Sequence, residues 1–293
     1  MGIVLSPKHE GFKVNFITNN KIPVGEWIEA GVDWLTLNGA GVFDAISIFL
    51  ETIIHFVVDV FKWMPPALPI FLTAAIAWYL HRSIPLVVFV VAALLTILNL
   101  GYWQEMLETF VLVFAATAMS VMIGVPIGIM AAHRPWLYTI LRPVLDLMQT
   151  VPTFVYLIPT LVLFGLGIVP GLISTIIFAI AAPIRLTYLG MTKVPEELIE
   201  AGKAFGASRM KLLLKVELPA AMPNIMAGVT QCIMLSLSMV VIAALVGADG
   251  LGKPVIRALN TVNISQGFEA GLAIVLVAII LDRLCKTPNQ KEV

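Results

Sequence analysis

Long apolar runs, separated by short polar segments, dominate this chain from residue 66 onwards. A helix of about 20 apolar residues is long enough to cross the roughly 30 Å hydrocarbon core of a bilayer. This criterion predicts transmembrane helices at 66–81, 84–101, 107–132, 150–166, 171–191, 221–246 and 268–284. The predicted fold class is therefore an all-α polytopic membrane protein with about seven transmembrane helices. Because the first run is short, it could instead pair with the second as one re-entrant hairpin, which would leave six spans.

The segment before these runs has a different pattern. Polar side chains recur every three or four positions on an apolar background, at Asp44, Ser47, Glu51, His55, Asp59 and Lys62. This spacing places them on one face of a helix, which is typical of a helix lying in the membrane interface. We therefore expect an N-terminal tail, residues 1–64, that contains an amphipathic interfacial helix. The alternative is an eighth span whose polar stripe faces the helix bundle.

The composition agrees with a membrane protein and excludes several other classes. Of the 293 residues, 59% are hydrophobic and 12% are charged, and the mean hydropathy is +0.97. The formal net charge is zero, so no overall field attracts nucleic acid, and no nucleic-acid partner is expected. Cys232, Cys285 and the four histidines lack the spacing of metal ligands. We expect neither a catalytic site nor a cofactor or metal in this chain.

The distribution of basic residues predicts the orientation. Twelve of the 18 Lys and Arg residues fall on one side if segment 192–219 is cytoplasmic. They are Arg82, Arg134, Arg142, Arg185, Lys193, Lys203, Arg209, Lys211, Lys215, Arg283, Lys286 and Lys291. Because cytoplasmic loops are enriched in Lys and Arg, the C-terminal tail, residues 286–293, is predicted to be cytoplasmic. With seven spans, the N-terminus then lies outside.

Segment 192–219 is a charged island between two apolar runs. Pro195 suits the start of a helix, and Gly206 suits the left-handed residue that ends one. Ser208 can cap a second short helix, which is predicted to end at Pro219. On physical grounds alone, a solvated connector and a docking element for another protein are equally good interpretations.

The same segment resembles the EAA loop of ABC-importer permeases. That pattern is E-A-A, three residues, G, nine residues, I, one residue and L-P. Here it takes the form Glu200-Ala201-Gly202, Gly206, Val216 and Leu218-Pro219, with glycine for the second alanine and valine for isoleucine. The resemblance implies a coupling loop seated in a groove of a cytoplasmic ATPase, where Glu200 would bond to the ATPase, Ala201 and Gly202 would permit close approach, and Gly206 would set the turn. The predicted coupling residues are Glu200, Ala201, Gly202, Phe205, Gly206, Leu218 and Pro219.

Two longer runs resemble a narrower group. Residues 145–167 (LDLMQTVPTFVYLIPTLVLFGLG) and 235–252 (LSLSMVVIAALVGADGLG) are similar to the permeases of glycine betaine, proline betaine and choline importers. This resemblance implies a type I ABC-importer permease core at 105–285, preceded by two accessory transmembrane helices at 65–104. Segment 246–264 is more similar to the choline branch.

The resemblance also implies the partners. The permease would act as a homodimer in the bacterial inner membrane, with cytoplasmic ATPase subunits that hold ATP and magnesium. A substrate-binding protein outside the cytoplasm would deliver the solute. The chain itself would be a transporter subunit and not an enzyme.

A translocation path is expected near span 150–166, which Pro152 and Pro159 interrupt. Quaternary ammonium ions bind to aromatic faces, and irregular backbone within a membrane is tolerated where it lines a cavity. The candidate path residues are Gln149, Thr153, Phe154, Tyr156, Gln231 and Ser236.

Two functions of other classes remain alternatives. An ion-coupled secondary transporter would have acidic residues near the bilayer midplane and inverted repeats. Asp146 is instead expected near the end of a span, where its charge can reach water. The second alternative is a scaffold or sensor subunit that docks a cytoplasmic enzyme without transporting solute.

Overall fold

The computed structural model describes residues 23–286, and over this range the chain forms only helices and turns. A boundary between two compact units falls between Ala40 and Gly41, inside the first helix. The helices are α1 (Val24–Trp63), α2 (Ala67–His81), α3 (Ile84–Asn99), α4 (Trp103–His133), α5 (Pro135–Thr150), α6 (Leu157–Phe164), α7 (Ile168–Ala179), α8 (Ala181–Thr192), α9 (Glu196–Ala204), α10 (Arg209–Leu212), α11 (Leu218–Ala243), α12 (Gly252–Thr261) and α13 (Ile264–Cys285).

The all-helical membrane class is confirmed, whereas the count of seven spans is not. Within the described residues, the helices long and apolar enough to cross a membrane are Gly25–Trp63, Trp103–His133, Ile168–Thr192, Arg209–Val246 and Ile264–Cys285. A sixth is formed if the bent pair Pro135–Thr150 and Thr153–Phe164 is one span. The two predicted accessory spans are real helices, α2 and α3, but have only 15 and 16 residues.

The segment expected to form a span at 150–166 is part of a bent helix pair that begins earlier in the chain, at Pro135, and we term this pair the broken span. Helix α5 ends at Thr150, a 3₁₀ turn occupies Thr153–Tyr156, and the axes on either side differ by 108°. Val151 precedes Pro152 and is extended, with ψ 131°, because the proline ring disfavours helical backbone in the residue before it. The prediction left residues 135–149 outside the membrane, and these residues belong to a span only if the bent pair crosses as one.

The second helix of segment 192–219 does not end at Pro219, contrary to the prediction. Helix α10 continues through a π turn, Leu213–Glu217, directly into α11, and the whole element runs from Arg209 to Val246. Proline is tolerated where the preceding turn has already left the regular α-helical hydrogen bonding, and the π turn lies immediately before Pro219.

Helix α8 lies between α4 and α11 and packs on both at close range. Gly128 of α4 lies against Thr187, and Gly228 of α11 lies against Pro183. Small residues at helix interfaces are the usual means by which membrane helices approach closely. The main apolar cluster then extends from α4, α7 and α11 to α3 and α13.

Contacts between helix ends define two ends of the bundle. His133, at the end of α4, contacts Glu217 of segment 192–219. We term this end of the bundle the coupling end. At the opposite end, termed distal, the Gly167 amide donates to the Val246 carbonyl oxygen at 2.9 Å. The C-terminus of α13 lies at the end where α2 and α3 meet, since His81 Nε2 is 2.6 Å from the Lys286 carbonyl oxygen.

The C-terminal half of α1 crosses the distal end of the bundle. Phe43 contacts Phe164 with ring centroids 5.4 Å apart, and Phe61 contacts Phe110 at 6.2 Å. Both partners lie near the distal end, although Phe43 and Phe61 are separated by about 27 Å of helix. Helix α1 is also among the helices long and apolar enough to cross a membrane, so the interfacial helix and the further span both stay predictions for residues 44–62.

Candidate functional site

Segment 192–219, which we term the coupling segment, forms the helix–turn–helix that its sequence predicts. Helix α9 begins after Pro195, with two acidic residues in its first turn. It ends before Gly206, whose φ of +72° is the left-handed conformation that glycine adopts without a Cβ penalty. Ser208 then caps α10, with its side chain accepting from the Lys211 amide at 3.5 Å. The turn therefore presents α9 as a separate helix at the coupling end.

One face of α9 is left uncovered by the rest of the chain. On this face Phe205 is 93% exposed, Leu198 is 48% exposed and Ala201 is exposed between them, while Glu200 is exposed on another side of the same helix. An exposed aromatic and leucine are typical of a protein interaction surface. The structure thus brings Leu198, Ala201 and Phe205 together on one outward surface, and leaves Glu200 accessible on a separate side of α9.

Gly202 faces the rest of its own chain. A Cβ at this position would be 2.6 Å from Leu212 Cδ1 and 3.6 Å from Val216 Cγ2. The glycine therefore lets α9 approach its own chain at Leu212, rather than a partner. Leu218 is half-buried under the same segment, and Pro219 is exposed at the start of α11.

A side-chain pair links α4 to the base of this segment. Glu217 is 7% exposed, and its Oε2 lies 2.9 Å from His133 Nε2. The other ring nitrogen, Nδ1, lies 2.9 Å from the Ile129 carbonyl oxygen. His133 thereby fixes the π turn, and the coupling segment attached to it, to the end of a long span.

The predicted path residues do not all share one surface. Gln149, Thr153 and Phe154 lie at the break, where Phe154 is 57% exposed. Tyr156 closes the break, since its hydroxyl donates to the Met148 carbonyl oxygen at 2.8 Å. Gln231 is exposed on α11, whereas Ser236 is fully buried.

An ion pair connects α5 to α8. Arg185 Nη2 lies 2.5 Å from Asp146 Oδ1, with side-chain exposures of 30% and 54%. Helix α5 packs alongside α8 and brings Asp146 to the level of Arg185, seven residues before the end of α8. Directly on the coupling side of this pair, Tyr138 and Tyr188 stack with ring centroids 3.5 Å apart.

Comparison with known families accounts for the coupling segment and the helices around it. Residues 124–285 match the family described as the binding-protein-dependent transport system inner membrane component. The chain belongs to this family. It is a transmembrane permease subunit, and both the coupling segment and the broken span lie within the matched region.

Similar proteins cover nearly all of the permease. It is 44% identical to the glycine betaine transport system permease protein OpuAB of Bacillus subtilis, over 93% of this chain and 96% of that protein. It is also 44% identical to the glycine betaine/carnitine transport permease protein GbuB of Listeria monocytogenes, over 92% and 96%. The Escherichia coli glycine betaine/proline betaine permease protein ProW is 43% identical over 90% of this chain and 74% of its own.

The fold of the permease agrees with a solved importer. A chain of the MetNI methionine ABC transporter, in an inward-facing conformation, has a TM-score of 0.53 and 25% identity. The match covers 59% of the permease and 88% of the MetNI chain. The type I ABC-importer permease fold expected from the resemblance is thus confirmed.

Two features of the permease escaped sequence reasoning. The His133 and Glu217 pair joins positions 84 residues apart, and the Arg185 and Asp146 pair joins positions 39 apart. A weak signal for the first was present, because Glu217 lies between apolar residues, four positions before the predicted span 221–246. The pair of Arg185 and Asp146 was not expected, because the predicted span began at residue 150, after Asp146.

Proposed function

We propose that this permease forms the translocation path of an ATP-driven importer of glycine betaine and related betaines. ATP and magnesium are held by separate cytoplasmic ATPase subunits, and an extracytoplasmic binding protein delivers the solute at the distal end. The observation that carries the proposal is the uncovered face of α9, where Phe205 is 93% exposed and Leu198 is 48% exposed. Such a face requires a partner, and the family implies that the partner is the ATPase.

The substrate class is supported by the relatives' names and by the broken span. Relatives named for glycine betaine transport are 43–44% identical to this chain, whereas OpuCD, whose name includes choline, is 31% identical. The proposal therefore favours betaines over the choline branch suggested by segment 246–264. Exposed Phe154 at the break offers an aromatic face to a quaternary ammonium group.

A homodimer follows from the proposed mechanism. One copy supplies one coupling helix, and an ATPase pair needs two. The broken span and α11 also leave polar side chains uncovered, including Gln149 and Gln231, which lipid would not accommodate. A second copy placed against these helices would enclose them around a water-filled path.

The proposed orientation places the coupling end in the cytoplasm and the N-terminal tail outside. Basic residues concentrate at the coupling end, in agreement with the bias of cytoplasmic loops. The C-terminal half of α1 ends at the distal end, where Lys62 Nζ lies 2.6 Å from Glu108 Oε1.

The deciding experiment is uptake of labelled glycine betaine into proteoliposomes that contain the permease, its ATPase and its binding protein. Uptake should require internal ATP and should persist when a proton or sodium ionophore is added. Uptake that survives loss of the ATPase but collapses with an ionophore would contradict the proposal. ATP hydrolysis without any solute accumulation would instead favour a scaffold subunit.

The coupling role is tested by Glu200→Arg and Gly206→Asp. Both variants should insert into the membrane normally, yet lose ATPase association or hydrolyse ATP without uptake, because they change the exposed surface of α9 and the turn that presents it. Glu269→Arg, the same charge reversal on α13 outside this surface, should leave ATPase association unchanged. Wild-type uptake by both coupling variants would refute the assignment.

A further inference from the structure

Helix α5 has a polar stripe that the rest of the chain does not cover. Arg142, Asp146 and Gln149 follow one another at spacings of four and three residues and are all exposed. The neighbouring face of α5 is apolar and packed, with Leu145 only 2% exposed against Ile184. Charged side chains do not face lipid within a span, so this stripe must face water or protein.

Contacts along α5 place its ion pair beside a turn of α8 that lies inside the span Ile168–Thr192. Tyr138 stacks on Tyr188, and one to two turns further on Leu145 contacts Ile184, so α5 rises antiparallel to α8 from the coupling end. Arg185 is seven residues from the end of α8 at Thr192. That separation corresponds to about 10 Å of helix, which puts the ion pair in the inner half of the span.

The backbone next to the stripe is irregular. Helix α5 stops at Thr150, one residue beyond Gln149, and the chain turns through Pro152 before α6 begins. Within a membrane, non-helical backbone is tolerated where it is buried in protein or lines a water-filled cavity. Because the stripe and the break adjoin and are both exposed, we take them to face the same aqueous path.

We propose that Arg185 and Asp146 form a transient binding site for a zwitterionic substrate. The substrate carboxylate would accept from the Arg185 guanidinium, which suits planar carboxylate recognition, while its ammonium group would lie against Asp146. The inference rests on the proposed function and deepens it, since it names the substrate chemistry and the residues that select it.

A zwitterion can replace the internal ion pair without leaving a charge uncompensated. Glycine betaine has one positive and one negative group, so both Arg185 and Asp146 keep an opposite charge when the pair opens around it. A simple cation such as choline would satisfy Asp146 and leave Arg185 unpaired within the span, which is costly. The stacked Tyr138 and Tyr188 lie on the cytoplasmic side of the site and separate it from the coupling end.

A double-mutant cycle tests the site in the reconstituted complex with saturating binding protein. Arg185→Gln and Asp146→Asn should each lower the maximal rate of glycine betaine uptake at least tenfold. The double variant, which removes both charges and keeps a hydrogen-bonding pair, should remain as slow as the single variants. Arg185→Lys, which keeps the charge, should retain more uptake than Arg185→Gln.

A purely structural ion pair predicts the opposite pattern. Removing one partner would leave an unpaired charge, and removing both would restore the rate. Recovery of uptake in the double variant, or wild-type uptake in the single variants, would therefore overturn the proposal. If Arg185→Gln does not assemble, wild-type uptake by Asp146→Asn alone would still overturn the proposal, and Asp146 is the more exposed partner.

The control is the equivalent neutralisation of an ion pair elsewhere. Lys286 Nζ lies 3.0 Å from Asp282 Oδ2 at the end of α13, and Asp282→Asn with Lys286→Gln should transport normally. Failure of the proposed function is a separate result, because the wild-type complex would then show no ATP-dependent uptake at all.

Discussion

At the scale of single residues, the fold depends on glycines in helix interfaces that have no room for a side chain. Gly128 of α4 is one such position, because a Cβ there would lie 2.7 Å from Thr187 Cβ and 2.8 Å from the Ile184 carbonyl oxygen. Neither neighbour can move without shifting the backbone of α8. Helix α8 also contains Arg185 and leads into the coupling segment, so its distance from α4 matters for both candidate sites.

We expect Gly128→Ala to destabilise the permease by about 1–3 kcal/mol, the usual cost of overpacking a core. Thermal unfolding of the detergent-solubilised protein, followed by size-exclusion chromatography, measures the change. Gly271→Ala is the matched control, since it is also helical and a Cβ there meets nothing within 4 Å. The control should be neutral or stabilising by up to about 1 kcal/mol, because alanine is the better helix former. Equal melting temperatures for the two variants would contradict the packing argument.

At the scale of elements, the coupling segment is joined to the bundle in two ways. It continues into the helix that reaches Val246 at the distal end, so a displacement of α10 is passed along a single element. It is also held sideways by His133, which binds Glu217 at 2.9 Å. A movement imposed on α9 by an ATPase would therefore reach α4 as well as α11.

Loss of the contact between His133 and Glu217 should uncouple ATP hydrolysis from transport. His133→Ala leaves Glu217 buried without its partner, and we expect more ATP hydrolysed per molecule of substrate imported, together with a stability loss of about 1–3 kcal/mol. His133→Gln retains a side-chain donor and should restore part of the coupling. The measurement is the ratio of hydrolysis to uptake in proteoliposomes.

His55→Ala is the control for His133→Ala. His55 pairs with Glu51 at 3.6 Å on the exposed face of α1, and exposed pairs contribute little. This variant should keep the wild-type ratio. A His133→Ala protein with an unchanged ratio would show that the link does not transmit coupling.

At the scale of the whole molecule, the two ends of the bundle present different elements to solvent. The coupling end holds the exposed face of α9, and the distal end holds the turn between α11 and α12. If the coupling end is cytoplasmic, ATPase and binding protein act on opposite sides of one continuous set of helices. The orientation is therefore a property on which the whole mechanism depends.

Cysteine labelling in intact cells tests the orientation. In a background with Cys285→Ser, a membrane-impermeant maleimide should label Lys253→Cys and Ser6→Cys from outside. Phe205→Cys should react only after the membrane is opened, because its side chain is on the coupling end. Labelling of Phe205→Cys in intact cells, with protection of Lys253→Cys, would reverse the assignment.

Much of this architecture could be predicted from local sequence. Apolar runs located most helices to within a few residues, since burial in lipid acts on each segment independently. The helix start after Pro195, the turn at Gly206 and the cap at Ser208 were also predictable, because each depends on the backbone preference of one residue and its near neighbours.

The sequence by itself thus determined the class of protein, the position of most helices and the form of the coupling segment. Only the tertiary structure decided that Gly202 faces Leu212, that Ser236 is buried, and that the π turn carries α10 past Pro219. It also decided that Asp146 meets Arg185 and that Glu217 meets His133. The physical reason is range: a helix is specified by residues within one or two turns, whereas these contacts join positions up to 84 residues apart, which packing alone brings together.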